Sequence, residues 1–276
     1  MRERAYAKIN LALHVRARMP DGFHDIETLF AFAEDGDELS VAPSGLLSLE
    51  VRGPFAGDLG EPADNLVLRA AEALRRHYGV TQGAALTLDK ALPVASGIGG
   101  GSADAAACLR LLARFWSLDA DAEALIAIAR PLGADIPACV RSQVARGEGK
   151  GDRLNSQDGS GLAGMPLLLV HPNRALSTAS VFAAWDGVDH GDLPISSPLS
   201  VAIGGRNDLQ APACHMVPEI EQALGLLSHS RPIVARMSGS GATCFALFEN
   251  PVRRDAAAGE IARAHPDWWQ LPTRLR

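Results

Sequence analysis

The run Gly97-Ile98-Gly99-Gly100-Gly101 constrains this chain more than any other stretch, because Ser102 and an alanine-rich segment follow it at once. Glycine lacks a Cβ, so its amides can approach a ligand closely and its backbone can take positive φ. Serine is a favoured N-cap, which places a helix start at Ser102. A helix N-terminus carries about half a positive charge and unpaired N–H donors. A glycine run abutting such a terminus makes a cradle for phosphate; without a ligand, the same glycines serve tight turns. Three common nucleotide motifs do not fit. No lysine follows the glycines, as a Walker loop requires. The spacing differs from the dinucleotide fingerprint, and no His-Arg-Asp or Asp-Phe-Gly triplet of the protein kinases is present.

The rest of the composition narrows the class. A length of 276 residues suggests about two domains. The 27 glycines exceed the roughly 7 % average and cluster, so they mark loops with a task. The net charge is −6, with no basic run, which argues against nucleic acid as a partner. Cys108, Cys139, Cys214 and Cys244 form no C-x-x-C pair, so neither a zinc site nor a disulfide framework is expected. No stretch approaches the roughly 20 apolar residues that span a bilayer, and the N-terminus lacks a signal-peptide core. A cytoplasmic chain without membrane contact is expected.

Hydrophobic spacing predicts strands at Ala5–Val15, Ile26–Phe32, Glu38–Ala42, Leu46–Arg52 and Ala84–Leu88. Helical spacing follows at Asn65–Tyr78, where Asp64 or Asn65 can cap, and at Ser102–Trp116 and Asp121–Pro131. Leu154–Gly164 reads as a linker or surface loop. Beyond it, strands are expected at Pro166–His171, Ile233–Met237 and Thr243–Phe248, and helices at Ser177–Trp185, Cys214–Leu227 and Val252–Ala264. The order suggests two α+β layers rather than strict β-α-β alternation.

Taken alone, Lys8 would be a solvated edge lysine and Asp135 a turn or cap aspartate. His24 would be a turn histidine, Phe182 part of a helix core, and Asn65 an N-cap. Ser238–Gly241 would be a hairpin turn between apolar strands.

The stretch Pro93-Val94-Ala95-Ser96-Gly97-Ile98-Gly99-Gly100-Gly101-Ser102-Ala103-Asp104 resembles the phosphate loop of the GHMP kinases. Ala7-Lys8-Ile9-Asn10-Leu11, Asp21-Gly22-Phe23-His24 with Thr28, and Gly133-Ala134-Asp135-Ile136-Pro137 are similar to further motifs of that family. So are Ser177-Thr178 with Val181-Phe182, Asn207-Asp208-Leu209, and Met237 to Phe245. The matches occur in family order from about residue 5 to about residue 248. Two departures stand out: Ala103 where a second serine is frequent, and Phe23 where tyrosine is frequent.

The resemblance implies an α+β chain of two domains. Residues 1–155 would resemble the second domain of ribosomal protein S5 and hold ATP. Residues 156–276 would be a ferredoxin-like α/β sandwich. It implies ATP-dependent phosphorylation of the 2-hydroxyl of 4-diphosphocytidyl-2-C-methyl-D-erythritol, in the non-mevalonate route to isoprenoid precursors. Another small alcohol, such as homoserine or a mevalonate derivative, is the alternative substrate, and a catalytically silent nucleotide sensor is the alternative role. Lys8 and Asp135 would be catalytic, Asp135 serving as base or as positioner. Pro93 through Ala103 would bind ATP, with Asn65 near adenine. Asn10, Phe23, His24, Thr178 and Phe182 would bind the second substrate, the two rings stacking on cytosine. Magnesium would accompany ATP, with Ser102 the one side chain nominated for it. The chain would act as a monomer or weak homodimer.

Overall fold

The computed structural model describes residues 1–59 and 65–276, so Asp64 lies outside the described residues. The chain divides into two compact units that no single cut separates. The first comprises Met1–Lys8, Asp35–Val94 and Gly99–Ser142; the second comprises Ile9–Glu34, Ala95–Ile98 and Gln143–Arg276.

Two long strands run through both units along the chain. Strand β1 spans Arg2–Arg18 and β2 spans His24–Ala42. The break expected between Phe32 and Glu38 does not occur. A Cβ on Gly36 would stand 1.9 Å from the carbonyl oxygen of Ala5, so this glycine permits close strand approach rather than a turn. In β1 the alternation was expected to give one apolar face. Ile9, Leu11, Leu13 and Val15 do form it, but Lys8, Asn10, Ala12 and His14 on the other face are buried as well.

In the first unit, β3 (Leu47–Arg52) pairs parallel with β4 (Ala84–Asp89), and β4 pairs antiparallel with the Glu38–Ala42 part of β2. Helix α1 (Leu66–Tyr78) connects the parallel pair. Asn65 caps it through Oδ1, accepting from the Val67 amide at 2.9 Å, and Gly79 ends it in the left-handed region. Helix α2 (Gly100–Phe115) packs on α1. Its helical turns bury Ala103, Ala105 to Leu109 and Leu111 to Ala113, so small side chains let it lie deep in the core. Helices α3 (Ala122–Ala129) and α4 (Ile136–Arg141) complete the unit; α4 was not legible in the sequence.

In the second unit, β5 (Ala145–Gly149) pairs antiparallel with Ile26–Phe30 of β2 and with β6 (Arg153–Ser156), which takes the first residues of the expected linker. A separate antiparallel sheet has the order β10-β7-β9-β8, from Trp269–Arg274, Pro166–His171, Cys244–Leu247 and Val234–Met237. Counting its strands along the chain gives the order 4-1-3-2. Helices lie in the first and last connections: α5 (Thr178–Ala183), α6 (Pro198–Gly204), α7 (Gln210–Met216) and α8 (Glu219–His229) before β8, and α9 (Pro251–Ala264) before β10. That is the β-α-β-β-α-β pattern of a ferredoxin-like sandwich. The single helix expected over Cys214–Leu227 is two, because Pro218 interrupts it.

Candidate active site

The end of the glycine run, Lys8 and Asp135 belong to the first unit. Helix α2 begins at Gly100, two residues earlier than expected, and its N-cap is Gly99 with φ 62°. Ser102 is therefore the third helical residue and not the cap. A left-handed cap is what glycine adopts without penalty, and no side chain caps the α2 amides. Such a terminus carries unpaired N–H donors and the positive end of the helix dipole. Gly101 is exposed, and a Cβ there would meet nothing nearer than 3.7 Å.

Lys8 and Asp135 meet beside this terminus. Lys8 is 3 % exposed, and its Nζ donates to Asp135 Oδ2 at 3.0 Å. A Cβ on Gly99 would stand 3.0 Å from Lys8 Cε, so the lysine stem lies directly against the α2 cap. Asp135 occupies the N-cap position of α4, yet its side chain makes no capping bond. Its carboxylate turns to Lys8 and stays 39 % exposed, so a partner can reach it from solvent. A buried ammonium needs such a counter-charge. The lysine is thus a buried residue rather than the solvated edge lysine that its type suggests.

Below the α2 terminus is a group that sequence reasoning missed. Lys90, 1 % exposed, donates to Asp37 Oδ2 at 2.5 Å and to Asp104 Oδ2 at 2.8 Å. Burial pushes the Asp104 carboxyl up to about 8, against the pull of Lys90. Lys90 was legible only as a lysine three residues before Pro93; its partners lie far away in sequence.

The remaining loop residues and the second motif set belong to the second unit. Here Gly97 has φ 79°, and a Cβ on it would stand 2.5 Å from the carbonyl oxygen of Ser238 and 2.7 Å from that of Gly241. Ser238 Oγ donates to the Gly97 carbonyl at 3.0 Å and accepts from the Asn10 amide at 3.1 Å. The Thr243 amide donates to the Ser96 carbonyl at 3.1 Å. Asn207 Nδ2 donates to the carbonyls of Met237 and Gly239, both at 2.8 Å. Ser238–Gly241 is the hairpin turn its sequence suggests, and it also packs on the start of the glycine run.

Of the residues expected to meet the second substrate, Asn10 is buried and donates through Nδ2 to Thr28 Oγ1 at 2.8 Å. Thr178, exposed at the start of α5, shares a 2.8 Å hydrogen bond with Ser240. His24 and Phe182 come together, with ring centroids 4.9 Å apart, and Trp185 meets the imidazole edge-on at 5.7 Å. His24 Nε2 is enclosed and has no hydrogen-bond partner among the described residues. Burial, then the neighbouring Arg18, holds this imidazole below its ordinary pKa, so the ring is neutral at pH 7. Phe23 is 54 % exposed, and its ring carries the Lys150 ammonium at 3.8 Å from the centroid. Asp21 in turn pairs with Lys150 at 2.6 Å. Neither Trp185 nor Lys150 stood out in the sequence.

A glycine-capped helix terminus with a lysine–aspartate pair against it fits a phosphotransferase of the kind the motifs resemble. Comparison with known proteins agrees. The family model for the GHMP kinases N terminal domain matches residues 65–143, and that for the GHMP kinases C terminal matches residues 200–267. A 4-diphosphocytidyl-2-C-methyl-D-erythritol kinase of Rhizorhabdus wittichii is 56 % identical over 99 % of this chain and 94 % of its own. One of Sphingopyxis alaskensis is 50 % identical over 100 % and 99 %. A crystal structure of 4-(cytidine 5'-diphospho)-2C-methyl-D-erythritol kinase superposes with a TM-score of 0.83 at 33 % identity, covering 100 % of this chain and 99 % of that one. The chain belongs to the GHMP kinases and has their α+β fold.

Proposed function

We propose that the chain transfers the γ-phosphoryl group of ATP to the 2-hydroxyl of 4-diphosphocytidyl-2-C-methyl-D-erythritol, giving the 2-phosphate and ADP. The observation that carries this reading is the 3.0 Å Lys8–Asp135 pair lying against the glycine cap of α2. Phosphoryl transfer asks a protein mainly for positioning and for stabilisation of charge. The α2 terminus and Pro93 through Ala103 receive the triphosphate, with Asn65 near the adenine. The substrate's 2-hydroxyl oxygen bonds to the γ-phosphorus as the bond to the β-phosphate oxygen breaks, and ADP leaves. Asp135 takes up or orients the hydroxyl proton through the carboxylate face that Lys8 leaves open. Lys8 gives that carboxylate a counter-charge and fixes its orientation. Magnesium belongs to the proposal as the companion of ATP, with the Ser102 hydroxyl as the oxygen the cradle offers it. The metal supplies charge neutralisation when bound.

Phe23, His24 and Phe182 take the cytosine, and Asn10 and Thr178 take the hydroxyl and diphosphate end. The relatives' printed names support the choice of substrate over homoserine or mevalonate derivatives. We also place the boundary between the family's N-terminal and C-terminal sequence regions at 155/156 and the enzyme in the cytoplasm, as a monomer or weak homodimer; the four free cysteines support a reducing compartment. Among the described residues, no helix is long and apolar enough to cross a membrane. Phosphorus NMR of a reaction with ATP, magnesium and the cytidylyl substrate tests the reading. A new phosphomonoester signal that grows with ADP is expected; ADP without that signal contradicts it.

A further inference from the structure

The Lys90, Asp37 and Asp104 group lies wholly inside the first unit, and the reading above gives it no role. It joins three separate places. Asp37 sits in β2, and its Oδ1 accepts from the amides of Ala91 at 2.6 Å and Leu92 at 2.8 Å. Those amides belong to the segment that leads into the phosphate loop at Pro93. Asp104 lies in the second turn of α2, on the helix that leads out of the loop. Lys90 Nζ links the two carboxylates, and a Cβ on Gly100 would stand 3.0 Å from it. The ammonium therefore lies directly beneath the first residue of α2.

We propose that Lys90, Asp37 and Asp104 form an internal clamp that ties the segment entering the phosphate loop to the helix leaving it, making Lys90 and Asp104 positioning residues for the ATP phosphates. This rests on the functional reading given above. All three side chains are buried, and such an ionic group gives less stability than well-packed apolar residues of the same volume. Stability is thus a weak reason for its presence; fixing a geometry is a stronger one. The charge count agrees. Two ionised carboxylates and one ammonium would leave a buried negative charge under a site meant for phosphate. Burial raises the Asp104 carboxyl to about 8, which lessens the negative charge beneath the site. Asp104 Oδ1, the oxygen turned away from Lys90, has no partner among the described residues.

Asp104→Leu isolates the clamp, because Lys90 keeps Asp37 as a neutralising partner while α2 loses its tie. Asp104→Asn keeps an oxygen acceptor for Lys90 and is the rescuing variant. Steady-state kinetics should show the KM for ATP raised at least tenfold in Asp104→Leu, with kcat within about threefold and the KM for the cytidylyl substrate unchanged. Asp104→Asn should return the ATP KM to within threefold of the unaltered protein. A folded Asp104→Leu whose ATP KM stays within twofold, or an Asp104→Asn as impaired as the leucine variant, would overturn the clamp. Hydrogen exchange on the unaltered protein is a second arm that needs no variant. The amides of Ala91 and Leu92 and those of Ala103 and Asp104 should open together with equal protection; independent opening overturns the proposal. If the unaltered protein neither binds nor consumes ATP, the functional reading fails, while the exchange experiment still judges the clamp.

Discussion

Asp135 shows how a residue type and its place can disagree. It stands where an aspartate ordinarily caps a helix, yet it bonds to Lys8 instead of to its own backbone. Replacing it with asparagine keeps the shape and removes both the charge and the proton acceptor. Asp135→Asn is expected to lower kcat by about 10²–10⁴-fold, with the ATP KM within about threefold, as read by ADP release at saturating substrate. Equal losses in kcat and ATP affinity would mean that the residue shapes the nucleotide site rather than the chemistry. The motif around Asp135 was legible; its partner's burial was not. The signal for it lies in β1, where Lys8, Asn10, Ala12 and His14 occupy the face opposite Ile9, Leu11, Leu13 and Val15. An alternating strand suggests that such a face meets water, but this one is buried too. A buried polar face has to be paired, and Lys8 and Asn10 on it pair with Asp135 and Thr28. Lys90 escaped the sequence reading for a related reason: Asp37 and Asp104 are brought to it only by tertiary packing.

At the level of single elements, the glycines of the phosphate loop divide by what surrounds them. Gly97 and Gly99 have positive φ and no space for a Cβ, so a side chain there disturbs the loop itself. Gly101 is exposed, and a methyl group there would make only an ordinary contact with Leu66 at 3.7 Å. Gly101→Ala is therefore expected to leave the melting temperature within about 1 °C while weakening ATP, because only a phosphate close to that amide would be crowded by the methyl. Gly99→Val should weaken ATP and lower the melting temperature together. Calorimetric titration with an ATP analogue beside thermal melts separates the two; unchanged ATP affinity in Gly101→Ala would move the phosphates away from the α2 terminus. Other glycines explain the element boundaries that the sequence missed. Gly36 reads as a turn but lies within β2, because β1 passes too close for a side chain. Gly147 makes Ala145–Gly149 look unlike a strand, yet a Cβ there would stand 2.6 Å from the ring of Phe30. In both places glycine makes room for a neighbour, and no local pattern reports that neighbour. Helix α2 began early for a backbone reason as well: Gly99 caps it in the left-handed region, and Ser102, the better cap by type, was not needed.

For the chain as a whole, two opposing sets of buried groups set the response to pH. His14, His24 and His171 are all held below the ordinary 6.5, each chiefly by burial. Below that value the unfolded chain binds more protons than the native one, so their contribution is present above about pH 6.5 and is lost as pH falls. Asp104 acts with the other sign. Its native carboxyl near 8 against 3.8 unfolded gives stability that is lost as pH rises through about 8. Melting temperature should pass through a maximum near about pH 6.5, and Asp104→Asn should remove the fall between about pH 6.5 and 8. A melting temperature that stays flat between about pH 6.5 and 8 in the unaltered protein would contradict the assignment. The division of the chain also belongs to this scale. The family order of motifs was readable from residue 5 to residue 248, because each motif is short and local. The two compact units were not, because Ile9–Glu34 and Ala95–Ile98 join the second unit through contacts distant in sequence. The central claim is that the lysine–aspartate pair and the glycine cradle serve a cytidylyl alcohol. Its most direct test is phosphate transfer from labelled ATP to 4-diphosphocytidyl-2-C-methyl-D-erythritol, to homoserine and to mevalonate under one set of conditions. The account predicts a kcat/KM at least about 10³-fold higher for the cytidylyl substrate, since a site built for a base's polar edge strongly rejects compounds that lack it. Comparable transfer to homoserine or mevalonate, or none to the cytidylyl alcohol, would contradict it.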